Sequence, residues 1–434
     1  MRKYLLALFL VSIFVISSSM AYAGVKSSTF HGQFRINSYN QSQDSGDKDS
    51  SGKDVGSVTT AASRLRYRPT WDVAMDGGVA MHMQLNIGHI NSNTSNARFD
   101  KSGTNPAVGL RHAYVLAPVT EGVSLIGGLV PLSDKFGDTL FSGDWDFNPL
   151  TYALLIKAGG ADIRAGYATL AEGSEANNQG TGKQTDDLSA YVLDVDAGGF
   201  GASYYYIAAD DAHALKGSSQ SYYGARYSGD FGGIGVNAFI LGNGGTFKKG
   251  VVSATEDISN SGMAGKLEVK VPVGSAKIGV MGLYASGNKD LGKGFVTPAT
   301  IIGHTGYWGY TGKLNIQGPT DTGIDGPVNI DGHIYSNGFS GYGYGITTIQ
   351  GNVDFPVSDS FSVYGAVGTF NRNEAPTGTE KDLGTDVYLQ GNYGFGDGLN
   401  LQFGGDFASL GKGYTGTSKT GSTTLLFARF QLEY

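Results

Sequence analysis

The chain has 434 residues, no cysteine, 69 glycines against 11 prolines, 25 tyrosines, 22 phenylalanines and a formal charge of −7. The missing thiols exclude disulfide scaffolds, thiolate metal sites and haem attachment through Cys-x-x-Cys-His. The acidic balance argues against nucleic acid or acidic surfaces as partners.

Residues 1–23 are expected to be a secretory signal peptide. Arg2 and Lys3 make a basic start, Leu5 to Ile16 an apolar stretch too short to span a bilayer comfortably, and Ala21-Tyr22-Ala23 a small-residue cleavage site. Cleavage after Ala23 leaves residues 24–434 as a single domain, two units more negative than the full chain. No later apolar run is long enough for a spanning helix. An exported chain without cysteine must be held together by other means. Closing a barrel, so that every backbone group is paired, is one of them.

From Thr29 onward the pattern has period two. Phe30, Phe34 and Ile36 alternate with His31, Gln33, Arg35 and Asn37. Further on, Val79, Met81, Met83, Leu85 and Ile87 alternate with His82, Gln84 and Asn86. Later, Met263, Leu267, Val269 and Val271 oppose Lys266, Glu268 and Lys270. Leu399, Leu401, Phe403 and Phe407 oppose Asn400, Gln402 and Asp406. The alternation is less clear from Ser189 to Ile207, where both faces carry apolar residues. Short Gly/Asp turns are expected at 76–78, 120–122, 158–160, 197–199, 228–230, 273–274, 357–359 and 396–398. Longer polar loops fall near 39–59, 91–107, 131–149, 170–186, 209–218, 243–261, 285–342, 371–382 and 409–421.

Eight hairpins plus a strand at each end, Thr29–Ser38 and Ser422–Tyr434, give eighteen strands. The loop at 285–342 contains Lys313-Leu314-Asn315-Ile316, a candidate extra hairpin, so sixteen and twenty strands stay open. A soluble sandwich would bury Arg, Lys, Glu, Asn and Gln in a dry core at considerable cost. The expected fold is therefore all-β, an antiparallel up-and-down transmembrane barrel with a wet lumen. Short turns mark its periplasmic rim and long loops its extracellular rim.

In the closing strand Leu426, Ala428, Phe430, Leu432 and Tyr434 lie on one face. Leu425, Phe427, Arg429, Gln431 and Glu433 lie on the other. An apolar outward face closed by a terminal aromatic resembles the last strand of Gram-negative outer-membrane barrels, where that aromatic is part of the insertion signal. In layout the chain resembles the outer-membrane porins. Its strand count departs from the sixteen of the general diffusion porins and is closer to substrate-specific porins. A run of lumen aromatics like the sugar-guiding slide of the maltodextrin channels is not evident. The resemblance implies an outer-membrane location, contact with lipid and lipopolysaccharide, a homotrimer, and passage of small solutes and ions. It implies no enzyme activity and no cofactor.

Arg64, Arg66 and Arg68 stand two residues apart and so share one face. On the lipid face each would cost about 2–4 kcal/mol, so they are assigned to the lumen. Arg35, His82, Arg111 and Arg429 extend this basic wall. The loop 131–149 carries Asp134, Asp138, Asp144 and Asp146 among Phe136, Phe141, Trp145 and Phe147. It resembles the third porin loop, which folds inward and narrows the pore. Facing a basic wall, it would set a transverse field across the constriction.

Other chemistry is weakly signalled. The seven histidines show no metal-ligand spacing, and Gly182-Lys183 is followed by Gln184, unlike a phosphate loop. Asp44, Asp47, Asp49 and Asp54 lack the twelve-residue calcium-loop signature. The reading is a water-filled outer-membrane porin for passive diffusion, with a weak cation preference suggested by the net acidic chain. The alternatives are a substrate-specific channel, a barrel sheathing or anchoring an electron-transfer partner, and an outer-membrane hydrolase.

Overall fold

The computed structural model describes residues 24–44, 47–48, 54–55, 58–91, 108–143, 147–171, 187–211, 213–251, 253, 255–289, 294–298, 314, 316, 344–375, 377–378, 380–415 and 420–434. The candidate signal peptide lies outside them. Eighteen antiparallel strands form one closed sheet. In chain order they are β1 (Val25–Asp44), β2 (Val58–Met75), β3 (Ala80–Asn91), β4 (Val108–Thr120), β5 (Val123–Leu129) and β6 (Leu150–Ala158). Next come β7 (Ala161–Ala171), β8 (Leu188–Ala197), β9 (Phe200–Ala209), β10 (Ser219–Phe231), β11 (Ile234–Phe247) and β12 (Ile258–Val273). The last are β13 (Ala276–Ala285), β14 (Ile346–Pro356), β15 (Phe361–Arg372), β16 (Asp382–Gly396), β17 (Leu399–Leu410) and β18 (Gly421–Glu433). Each strand pairs with its sequence neighbours, and β1 closes the ring on β18 from Gln33↔Glu433 to Asp44↔Ser422.

The short connections show why the glycines fall where they do. In four of them both central residues have positive φ: Gly159-Gly160, Gly198-Gly199, Gly232-Gly233 and Asp397-Gly398. That is the backbone of the twisted two-residue hairpin turn, which glycine adopts without strain. This corrects the turn expected at 228–230. Ser228, Gly229 and Asp230 continue β10, and the chain reverses at Gly232-Gly233, where both residues can supply the conformation.

Faces alternate as a barrel in lipid requires. Leu426, Ile349, Leu267 and Leu389 are exposed on the outside, while Asn37, Gln41 and Gln390 are buried on the inside. At the short-turn rim Phe30 and Trp71 pack with ring centroids 4.9 Å apart. Tyr434 joins them, 5.8 Å from Phe30 and hydroxyl to hydroxyl with Tyr67 at 2.7 Å. Aromatic girdles of this kind sit at membrane interfaces.

The apolar residues on both faces of Ser189–Ile207 have two different neighbours. Leu193, Val195 and Tyr204 face outward. Val192, Tyr205 and Ile207 face inward and are buried, because a loop packs against them from within the barrel. The wall is tallest at β1, twenty residues, and lowest at β5, seven residues. The loop after β5 turns inward.

Candidate functional site

The lumen wall of β1, β2, β4 and β18 carries a ladder of guanidinium groups. Strand register sets Arg66 opposite Arg35, Arg68 opposite Gln33, and Asn37 between Arg64 and Arg429. Amide side chains on adjacent strands hold the ladder in place. Arg35 Nε donates to Gln431 Oε1 at 2.8 Å and Arg66 Nη2 to Gln33 Oε1 at 2.6 Å. Arg68 Nε donates to Asn86 Oδ1 at 3.0 Å and Arg111 Nη1 to Gln84 Oε1 at 2.6 Å. The Arg64 side chain lies outside the described residues.

Two irregularities in the ladder hydrogen bonding aim these side chains. The register slips between Leu65 and Arg66, opposite Gly88 at φ +107°, where a Cβ would come within 2.5 Å of the Leu65 carbonyl oxygen. It slips again between Gln84 and Leu85, so that Arg111 and His112 are both buried on the inner side of exposed Leu110. Bulges re-aim side chains in this way. Sequence periodicity alone misses the second one, since alternation would put one of the two outside.

His82 has a different partner from the arginines. Its Nδ1 lies 2.7 Å from Asp72 Oδ1, and His31 Nε2 lies 2.6 Å from Asp72 Oδ2. The three form a short hydrogen-bonded chain across β1, β2 and β3, with Tyr114 stacked on His82 at 4.8 Å. Asp72, four residues beyond Arg68, is a member that periodicity does not single out.

The described residues of the loop, 131–143 and 147–149, pack inside the barrel. Phe136 stands edge-on to Tyr205 and Phe239 at 6.2 and 5.8 Å, and Phe141 edge-on to Tyr205 at 5.0 Å. Asp134 is buried and accepts backbone N–H groups from Phe136 and Leu140 at 2.5 Å and from Phe141 at 3.0 Å. Burial outweighs those three bonds and, with Asp138 nearby, pushes its carboxyl up to about 7. Asp134 therefore staples the loop to itself rather than presenting a charge to the path. Asp138, at φ +60°, accepts from Ser142 Oγ at 2.9 Å. Asp144 and Asp146 lie outside the described residues. The loop meets the ladder at Arg111, whose Nη2 donates to the Gly143 carbonyl at 2.8 Å.

Parts of the long connection between β13 and β14, expected as an extracellular loop over 285–342, also turn into the lumen. Phe295, Val296, Thr297, Leu314 and Ile316 are buried. Leu314 lies over Gly368, where a Cβ would approach it to 2.7 Å. The Ile316 N–H donates to Asp386 Oδ2 at 2.8 Å. Leu314 and Ile316 are not in a strand, so the candidate extra hairpin is not seen among the described residues. Nearby, Tyr364, Tyr388 and Phe427 form an inner aromatic row, with centroids 6.1 and 5.8 Å apart. Sequence patterning does not show this row, because its members are single residues on three different strands.

No protein-family model matches the chain, and no curated protein does. In fold it is similar to solved outer-membrane porins. Pseudomonas aeruginosa OccK9 (OpdG) aligns with a TM-score of 0.56 at 11% identity, over 94% of this chain and 99% of that one. Acinetobacter baumannii OccAB1 aligns at 0.54 and 12%, over 93% and 96%. Pseudomonas aeruginosa OpdK, solved with vanillate, aligns at 0.53 and 11%, over 93% and 99%. At these identities the likeness is one of fold, an antiparallel barrel of eighteen strands.

Proposed function

We propose that the chain is a passive outer-membrane channel for small hydrophilic solutes and ions, narrowed by its own loops and sorted by charge at the arginine ladder. The observation that carries this is the inner wall itself. Arg35, Arg66, Arg68 and Arg111 are fixed along one side of the lumen by Gln431, Gln33, Asn86 and Gln84. Charged rings at a constriction are how pores select. Fields decay over about 10 Å in salt, so the ladder, rather than the net charge of the chain, governs which ions enter. No bond is made or broken.

Two inward segments, 131–149 and the part of 286–345 around Phe295 and Ile316, favour a solute-selective channel over a wide diffusion pore. That a porin of the same fold is solved with vanillate, a small aromatic carboxylate, supports a small-solute class. A sheath around a second polypeptide would need the space these side chains occupy. The homotrimer implied by the porin resemblance is supported by no observation on the single chain. Apolar residues ring the outer wall from Phe30 through Ile240 and Ile349 to Phe430, as one barrel in lipid requires by itself.

Liposome swelling tests the reading. Vesicles holding the refolded protein should swell in small sugars, amino acids and carboxylates, and progressively less as solute size grows. Absence of swelling, with a barrel that still shows heat-modifiable mobility, would refute it.

A further inference from the structure

The loop 131–149 is fastened to the inner wall by a polar junction that spans four strands. Asp194 on β8 is 1% exposed. It accepts hydrogen bonds from Ser203 Oγ at 2.6 Å, from Arg164 Nε at 2.6 Å, and from the Tyr205 hydroxyl. Two of these partners reach the loop. Arg164 Nη2 donates to the Ser133 carbonyl at 2.8 Å, and the Tyr205 hydroxyl oxygen accepts the Lys135 N–H at 3.1 Å. One row along, Asp196 pairs with Arg226 and, at 3.5 Å, with Lys135. Arg226 in turn lies over the Phe136 ring at 5.9 Å.

Two glycines make the seat. Gly201 lies between Asp196 and Arg226 in the register, and a Cβ there would collide with both side chains. At Gly224 a Cβ would collide first with the Ile240 carbonyl oxygen of β11 and would also come within 3.0 Å of the Phe136 ring. A buried carboxylate with three donors is worth keeping only as a complete set, since removing one member strands the others. Nothing about the barrel wall alone requires this set here; sheet pairing and lipid contact are satisfied without it.

We propose that Asp194 is a positioning residue for the constriction, and that this junction, together with the Phe136 seat, sets the bore of the channel. The inference rests on the channel reading above. Asp194 acts through Arg164 and Tyr205 on Ser133 and Lys135. Releasing it lets the loop leave the wall while the eighteen-stranded ring stays closed.

The test is planar-bilayer conductance and exclusion of neutral polyethylene glycols of graded size. The proteins compared are the wild-type chain, Asp194→Ala, Tyr205→Phe and Phe136→Ala. In the last the hydrogen bonds of Asp194 are intact and only the ring that fills the seat is removed. The expected result is a conductance altered by roughly twofold, with a changed polymer cut-off, in Asp194→Ala and Phe136→Ala. The change in Tyr205→Phe should be smaller, and heat-modifiable mobility should be retained. Reversal potential should move little, because the arginine ladder is untouched. Folded variants with wild-type conductance and cut-off would overturn the inference. If Asp194→Ala does not fold, Phe136→Ala and Tyr205→Phe decide it on the same readouts. A wild-type protein that never conducts would instead overturn the channel reading.

Discussion

Leu389 sits in the middle of β16 and is 59% exposed on the outer wall. If that surface faces hydrocarbon, Leu389→Arg moves a guanidinium into the bilayer centre at a cost of about 2–4 kcal/mol. The same change at Asn400 on β17, whose side chain faces the lumen, should stay within about 0.5 kcal/mol. At about 1.4 kcal/mol per decade, the Leu389 variant loses roughly 30- to 700-fold in its folding equilibrium constant. Urea titration of refolding into phosphatidylcholine vesicles, followed by heat-modifiable mobility, measures the difference. Equal midpoints for the two variants would refute the assignment of inside and outside, and with it every lumen residue named above.

The buried carboxyl of Asp134 gives the loop a pH dependence. Its folded value, about 7, lies above the ordinary 3.8. The stability it lends to loop docking is therefore fully present below about pH 4 and is lost as pH rises through about 7. A tenfold change in proton affinity is worth about 1.4 kcal/mol, so the whole loss is of the order of 4 kcal/mol. Open-channel noise should rise between pH 5 and pH 8 in the wild type and not in Asp134→Asn; equal noise at both pH values would contradict it. Gly368→Val should push Leu314 from its place, since even a Cβ comes within 2.7 Å of it. Proteolysis between β13 and β14 should then quicken in the folded barrel, and an unchanged cleavage rate would count against that contact.

Much of the barrel could be read from residues alone, for a physical reason. A strand facing lipid on one side and polar lumen on the other must alternate, so Phe30, Phe34 and Ile36 against Gln33, Arg35 and Asn37 state their own orientation. The same parity sets Arg66 and Arg68 of β2 on one face, where they donate to Gln33 and Asn86. Where a loop packs inside, both faces become apolar and the signal disappears, as at Val192 and Leu193. The turn after β10 was misplaced because Ser228-Gly229-Asp230 has turn composition, whereas the backbone needs positive φ at two successive residues. The Asp194 junction could not be seen. Its members come from β7, β8, β9 and β10, and only the register of these neighbouring strands brings them together. Composition presents the loop as acidic; that Asp134 accepts N–H groups of the loop's own backbone is a role that composition does not encode.

The measurement that bears most directly on the central claim is single-channel recording of the refolded protein in a planar bilayer under a salt gradient. It should compare the wild type with Arg66→Glu and Arg68→Glu. A wild-type channel with stepwise conductance, and variants whose reversal potential moves toward cations, is the result required by a pore sorted at the ladder. Stepwise conductance with the same reversal potential in all three proteins would contradict that placement of the selective wall. A folded barrel with no steps at all would contradict the pore.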